Sequence, residues 1–320
     1  MIYREKTDVL KNEIINSLKV FTGRKCVLWD VPYYSNIGDT LIWEGELNFL
    51  KNCGCKCLEM ASKETCCFPS LSKDTIIFLQ GGGNFGDLWR EHQEFRLEVI
   101  RRYPKHRIVM FPQSVYYESA EQMRRDAEEM AMHPNLILCA RDNVSYALLK
   151  KEFKNQVLLV PDMAFCISLD YLEKLRSKEK DRILFVKRTD KELADITFKR
   201  ENADVRDWPS MENRIWCLYL LEKGVGFSQK LKKCGWKNFA GRINKILNLY
   251  GKYIVRPCLT KIGVKFVSSY KYVYTTRLHV MILSVLLGKS CEFFDNSYGK
   301  NSAFYETWLK DLAEIKKANG

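Results

Sequence analysis

Apolar residues recur along this chain at two spacings, and the alternation between them lays out a series of helices and strands. Near the N-terminus Leu10, Ile14, Leu18 and Phe21 fall three or four apart with Lys and Glu between them, which predicts an amphipathic helix lying on a sheet. Short apolar runs follow at 25–31, 56–60, 75–80, 107–113, 136–140 and 157–160, mostly separated by helix-sized segments. The run Thr75-Ile76-Ile77-Phe78-Leu79 is β-branched and too short for a free-standing helix, so it reads as a buried parallel-type strand. Strands alternating with helices predict a parallel, doubly wound α/β sheet.

The pattern changes after residue 167. The charged run 173–182 reads as a solvated connector, which divides the chain into an N-terminal domain, 1–167, and a C-terminal domain, 168–320. A strand at 182–187 opens a second α/β unit. Residues 270–275 form a strand, 278–287 a helix and 290–295 another strand, while the polar stretch 189–215 carries no assignable pattern. A last helix is expected at 303–317, with Phe304, Trp308 and Leu312 on one face, packing back across the first domain.

Two loops follow strands and carry polar residues. After 75–80 comes Gly81-Gly82-Gly83-Asn84-Phe85-Gly86-Asp87, whose glycines permit positive φ and close approach of a ligand before a helix beginning near Leu88. It satisfies the G-x-G-x-x-G dinucleotide pattern, but the following strand ends in Gln113 where a nicotinamide site wants a ribose-binding acid. The glycines therefore either make a tight turn or admit another polar ligand; Asn84 and Asp87 argue for the ligand. The second loop, residues 32–39, holds Asn36, Gly38 and Asp39, and Asp39 or Thr40 can cap a helix through Leu41, Trp43 and Leu47.

Ligands collect at the carboxyl ends of parallel strands. There this chain places Asn36, Asp39, Gly82, Gly83, Asn84, Asp87, Gln113, Ser114, Arg141, Asp142, Asp162, Lys187, Arg188, Arg277 and His279. Arg277-Leu278-His279 stands where a strand becomes a helix, so an anion would meet Arg277, the free N–H groups of the helix start and His279 together. That is a phosphate or carboxylate site, unless His279 is simply a satisfied structural histidine. Arg141-Asp142 is either part of the same site or a local salt bridge with a helix cap.

With 320 residues, 46% of them apolar, the chain can form two domains each with its own core. No run approaches the ~18 apolar residues of a membrane span and the first residues lack a secretory apolar segment, so the expected address is the cytoplasm. Cys53, Cys55, Cys57, Cys66 and Cys67 lack metal-site spacing and read as small buried hydrophobes, and no metal is expected. The net charge of +13 favours an anionic partner. Nucleic acid is not expected, because no binding motif is present and the basic residues are spread through both halves. One concentration stands out at 229–252, where Trp236, Phe239, Ile243, Leu247 and Tyr250 recur among Lys232, Lys233, Lys237, Arg242, Lys245 and Lys252. It is either a helix lying in an anionic membrane interface or a surface helix whose apolar stripe packs inward.

Seven of these segments together resemble the polysaccharide pyruvyl transferase family. They are residues 36–42 (NIGDTLI), the glycine loop through Trp89, Phe111-Pro112-Gln113-Ser114, Ala140-Arg141-Asp142-Asn143-Val144-Ser145, Pro161-Asp162-Met163-Ala164-Phe165, Thr276-Arg277-Leu278-His279 and 295–300 (DNSYGK). The resemblance runs in order over roughly residues 25–310. It implies two Rossmann-like domains facing across a cleft, as in two-domain GT-B glycosyltransferases. It also implies phosphoenolpyruvate as donor, without any cofactor, and a cyclic pyruvate ketal formed on two hydroxyls of a sugar or lipid-linked glycan destined for a surface or exopolysaccharide. Arg277, Leu278 and His279 match the donor-binding motif. The donor carries two anionic groups, for which Arg277 with Arg141 or Lys187 and Arg188 are the expected partners. His279 is the expected acid, and Asp39 or Asp87 the base or sugar-holding carboxylate. Asn36, Gly82, Gly83, Asn84 and Gln113 complete the expected binding set. A GT-B-type glycosyltransferase using a nucleotide sugar would share these loops and is the alternative reading.

Overall fold

A computed structural model describes residues 2–192, 198, 200 and 202–318. Two parallel sheets form its frame. The first contains β1 (Lys25–Trp29), β2 (Lys56–Ala61), β3 (Ile76–Leu79), β4 (Gly82–Gly86), β5 (Ile108–Tyr116), β6 (Leu136–Ala140) and β7 (Gln156–Leu159), in the order β2-β1-β3-β5-β6-β7 with β4 beside the end of β5. The second contains β8 (Lys180–Val186), β9 (Ala203–Arg206), β10 (Tyr270–Thr275), β11 (Cys291–Phe293) and β12 (Ile315–Lys317), ordered β12-β11-β10-β8-β9. Each order reverses once, between β1 and β3 in the first sheet and between β8 and β10 in the second. At such a reversal the connections leave to opposite faces and open a crevice at the carboxyl ends.

The helices are α1 (Tyr3–Leu18), α2 (Ile37–Asn52), α3 (Arg90–Arg102), α4 (Ala120–Ala131), α5 (Asn143–Glu152), α6 (Leu169–Leu175), α7 (Pro209–Glu212), α8 (Trp216–Lys233), α9 (Lys237–Tyr250), α10 (Arg256–Ser268), α11 (Leu278–Leu286) and α12 (Lys300–Phe304). Leu10, Ile14 and Leu18 of α1 are buried, as their spacing predicts. Every residue of α11 is buried, and α2 buries nearly all of its first three turns. A helix that is buried all round must have neighbours on several sides. These neighbours come from both halves, so the expected separate cores are replaced by one that joins Leu28, Phe78 and Phe111 of the first sheet to Val186, Val273 and Phe293 of the second. The far face of the first sheet carries its own cluster, Val27, Trp29, Ile77 and Met110 against Phe95 and Val99 of α3. Packing here is close: a Cβ on Gly45 of α2 would stand 1.9 Å from the Met163 carbonyl oxygen.

Four sequence expectations need correction. The glycine loop does not run straight into a helix; Gly82, at φ +130°, begins β4, and α3 starts only at Arg90. The polar stretch 189–215 contains β9 and α7, while residues 193–197, 199 and 201 within it lie outside the described residues. The last segment is not one helix but α12, a π-helical turn (Tyr305–Leu309) and β12, because buried Ile315 pairs with Cys291 at the sheet edge. Its helical part does pack on the first half, where Trp308 Nε1 donates to the Arg141 carbonyl at 2.7 Å.

The fourth correction concerns 229–252, which is the end of α8, a turn at Gly235 (φ +88°) and α9. The two helices form a hairpin with Gly224 against Leu247. Leu247 and Tyr250 pack against the core, but Trp236 and Phe239 stay exposed. Of the clustered cysteines, Cys66 is buried and Cys53, Cys55 and Cys57 partly so, whereas Cys67 is exposed and does not fit the expected role. No described helix is long and apolar enough to cross a membrane.

Candidate active site

A cleft of about 450 Å³ opens at both strand-order reversals. The connections after β1 and β3 supply Asn36, Asp39, Gly83 and Asn84; those after β8 and β10 supply Arg188, Asp190, Glu192, Arg277, Leu278 and His279. Arg141 enters from the end of β6, and Lys300 from α12.

Asn36 is the N-cap of α2: its side chain accepts from the Gly38 amide at 3.0 Å and donates to Asp39 Oδ2 at 2.8 Å. The Tyr34 hydroxyl donates to the same oxygen at 3.0 Å, which leaves Oδ1 of this buried carboxylate out of both bonds. Asn84 in turn donates to the Tyr34 hydroxyl at 3.3 Å. The glycine loop is pinned from below by Glu46, whose carboxylate accepts from the Gly81 amide at 2.8 Å. Burial raises the Glu46 pKa well above the usual carboxylate range.

Gly83 lets cations approach. A Cβ there would lie 3.2 Å from an Arg141 terminal nitrogen and 3.3 Å from Lys300 Nζ. Arg141 is fully buried and held by Ser114 Oγ at 2.9 Å and Asp162 Oδ2 at 2.8 Å. His279 Nε2 lies 3.4 Å from both Asp162 Oδ2 and Arg141, and the other edge of its ring rests on Gly38, where a Cβ would clash with Nδ1. Burial alone would raise the Asp162 carboxyl, but His279 and Arg141 outweigh it and hold the group well below the usual range.

A second cluster lies on the side of the other sheet. Arg188 makes a fork to Asp190 at 2.8 and 3.0 Å and reaches Glu192 at 2.8 Å. Lys300 Nζ also donates to Glu192. The two partners of this last pair shift in ways that look contradictory: Glu192 is held at about 2, whereas Lys300 is lowered to about 8. The surroundings account for it. Burial opposes charge on both, but Glu192 faces two cations, whereas Lys300 faces one carboxylate and feels both Arg188 and Arg141. Arg277 lines the cleft, yet Asp207 holds two of its nitrogens in a buried fork and Asp190 accepts from the third at 3.2 Å.

Four residues of the expected binding and catalytic set are not brought to the lining, and Ser114, Asp142 and Asp162 stand behind it. Asp87 uses its two oxygens to accept from the backbone amides of Glu118 and Ser119 at 2.8–3.0 Å, holding the start of α4. Gln113 is buried beneath the loop, donating to the Gln80 carbonyl at 2.6 Å. Gly82 packs against Ile42 and Asp39, and Lys187 is not among the cleft's lining residues. Conversely, Lys300, Asp190 and Glu192 were not singled out. Lys300 lay within the matched 295–300 segment, and the two acids follow a predicted strand end, so position held a signal. His92 also lines the cleft, with Nδ1 2.7 Å from Asp30 Oδ1; an acid closing the apolar run of β1 was its only trace.

Comparison with known proteins fits this arrangement. The family model described as Polysaccharide pyruvyl transferase matches residues 36–298, from the Asn36 cap to Tyr298 beside Lys300. The chain belongs to the polysaccharide pyruvyl transferase family. It is 33% identical to the putative pyruvyl transferase EpsO of Bacillus subtilis over 96% of this chain and 92% of that protein. It is 28% identical to pyruvyl transferase 1 of Schizosaccharomyces pombe, over 90% and 71%. A crystal structure of an uncharacterized Klebsiella pneumoniae protein shares the fold, with a TM-score of 0.64 at 19% identity over 98% of both chains. Within this pyruvyl transferase family member, five of the seven segments that carry the sequence resemblance contribute residues to the cleft. It is thus a transferase.

Proposed function

We propose that the cleft moves pyruvate from phosphoenolpyruvate to two hydroxyls of a sugar in a surface or exopolysaccharide precursor, forming a cyclic ketal. The observation that carries this reading is the convergence of Arg141 and Lys300 on Gly83, with His279 3.4 Å from Arg141, which puts two cations and a proton carrier side by side. Phosphoenolpyruvate bears a phosphate and a carboxylate on three carbons, and Arg141 and Lys300 are placed to take one anionic group while Arg188, Arg277 and the start of α11 face the other. The His279 imidazolium gives its proton to C3, the C2–C3 double bond becomes single, and a sugar oxygen bonds to C2 as Asp39 accepts its proton. The second hydroxyl oxygen then bonds C2 while the C2–O bond to phosphate breaks. Its proton returns to His279, and that on Asp39 leaves with phosphate. These steps need no metal or cofactor. Two parallel sheets meeting at a cleft support a GT-B-like arrangement whose halves, dividing near residue 167, are joined by one shared core, and the cytoplasm is where phosphoenolpyruvate would be met.

Purified enzyme with a glycan acceptor should consume phosphoenolpyruvate and release inorganic phosphate, and do neither without acceptor. If millimolar phosphoenolpyruvate produces no thermal shift and no binding heat, whereas a uridine or guanosine diphosphate sugar produces both, the reading falls to a glycosyltransferase.

Lys300 gives a pH signature. Its ammonium is charged below about 8 and neutral above, so a cation beside the donor is lost as pH rises through that value. The free enzyme's titration appears in kcat/KM, which should fall on the alkaline side of about 8. In Lys300→Arg the charge persists, and that limb should vanish from the profile; an unchanged limb would assign the titration to another group.

A further inference from the structure

The α8–α9 hairpin carries apolar residues on its outer face as well as its inner one, where Leu218, Leu221 and Val225 of α8 are buried. On α9 the side chains turned inward include Asn244 and Asn248, both buried. They are fully engaged: Asn244 donates to the Thr65 carbonyl at 2.9 Å and accepts from Ser228 of α8, and Asn248 accepts from Thr65 Oγ1 at 2.7 Å and the Tyr33 hydroxyl at 3.0 Å. A second set of apolar residues faces out. Phe239, Ile246 and Leu249 on α9 and Trp216, Leu220 and Phe227 on α8 are 48–66% exposed. Each set recurs at helical spacing along a solvent-facing stripe. Single exposed apolar side chains need no explanation, but two stripes on adjoining helices do.

Charge narrows the choice of what covers them. Between residues 216 and 254 there are eight Lys or Arg and a single carboxylate, Glu222. The cations interleave with the exposed apolar positions, and Lys232, Lys237, Arg242 and Lys245 line a groove of about 620 Å³ between α9 and residues 65–69. Lysine is depleted in protein–protein interfaces, whereas aromatic and aliphatic residues interspersed with lysine suit the boundary between lipid headgroups and acyl chains.

We propose that this hairpin seats the enzyme on an anionic lipid bilayer, with its apolar stripes in the interface and lipid phosphates in the α9 groove. The groove lies next to the catalytic cleft. Lys63 and Glu64 line the cleft, Thr65 and Cys66 line the groove, and Asn248 holds Tyr33, itself a wall of the cleft. A bilayer docked here would bring the cleft close to an acceptor carried on lipid. The docking itself rests on no step of pyruvyl transfer.

Co-sedimentation of the full chain with vesicles tests it. Phosphatidylglycerol vesicles at low salt should carry the protein down, phosphatidylcholine vesicles should not, and high salt should weaken the binding. Phe239→Ser with Ile246→Ser and Leu249→Ser, and separately Lys237→Glu with Arg242→Glu and Lys245→Glu, should each reduce partition by about tenfold or more. Both changes are confined to surface side chains, and unchanged circular dichroism verifies the fold. Failure of the wild type to bind phosphatidylglycerol at low salt overturns the proposal. So does either natively folded triple variant binding as the wild type does, or a dimer formed through this face in place of vesicle binding. Vesicle binding without phosphoenolpyruvate turnover would instead overturn the pyruvyl reading and leave the docking surface standing.

Discussion

His279→Gln should lower turnover by about 10²–10⁴-fold with little change in the KM for phosphoenolpyruvate. The imidazole sits between Asp162 and Arg141 on one edge and Gly38 on the other, and both contacts fix the ring. Glutamine fills a similar volume and can donate a hydrogen bond, but it cannot deliver a proton to carbon. The loss therefore belongs to the chemical step. Rapid-quench measurement of the first turnover would show it directly, and a folded variant with wild-type turnover would remove His279 from the role of acid.

Asp207→Ala should cost about 3–5 kcal/mol of folding stability, measured by urea denaturation. Asp207 is buried and forks two nitrogens of buried Arg277 while accepting from Thr189 Oγ1 at 2.8 Å. Removing it strands a guanidinium whose remaining partner, Asp190, is already shared with Arg188. Asp207→Asn keeps one acceptor oxygen and should cost less than the alanine change. Arg277 also loses its orientation, so the KM for donor should rise. A loss below about 1 kcal/mol for the alanine variant would mean that Asp190 alone satisfies Arg277.

The sheet frame was legible because β1, β3, β6, β7 and the start of β5 are short apolar runs bounded by turn residues, which leaves little choice of period, whereas β4, Gly82–Gly86, holds no such run and left no strand signal. Eight of the loop residues chosen at strand ends, Asn36, Asp39, Gly83, Asn84, Arg141, Arg188, Arg277 and His279, do meet in the cleft, since a parallel sheet gathers its carboxyl ends whatever the loops contain. Asp87 failed that rule by its hydrogen bonds: a carboxylate beside two free amides turns to them, and sequence does not show that the start of α4 lies there. Arg277 carried the right charge, but its fork to Asp207 joins residues 70 positions apart and leaves no periodic trace. The stripe at 229–252 divides between its two readings: Leu247 and Tyr250 pack against the core, while Trp236 and Phe239 stay exposed because Asn244 and Asn248 fill much of the inner face of α9.

The core shared by the two sheets bears on how substrates enter. A cleft between two independent lobes can open about a hinge, with the lobes moving as rigid bodies. Here Leu28, Phe111, Val186 and Val273 belong to one packed interior, with α2, α10 and α11 bridging it, so any wide opening would shear interdigitated side chains. Heat or urea would meet the same continuity as cooperativity, melting both sheets in one transition. Access to the cleft would then fall to movement of the surface loops at its mouth, Lys63-Glu64 among them.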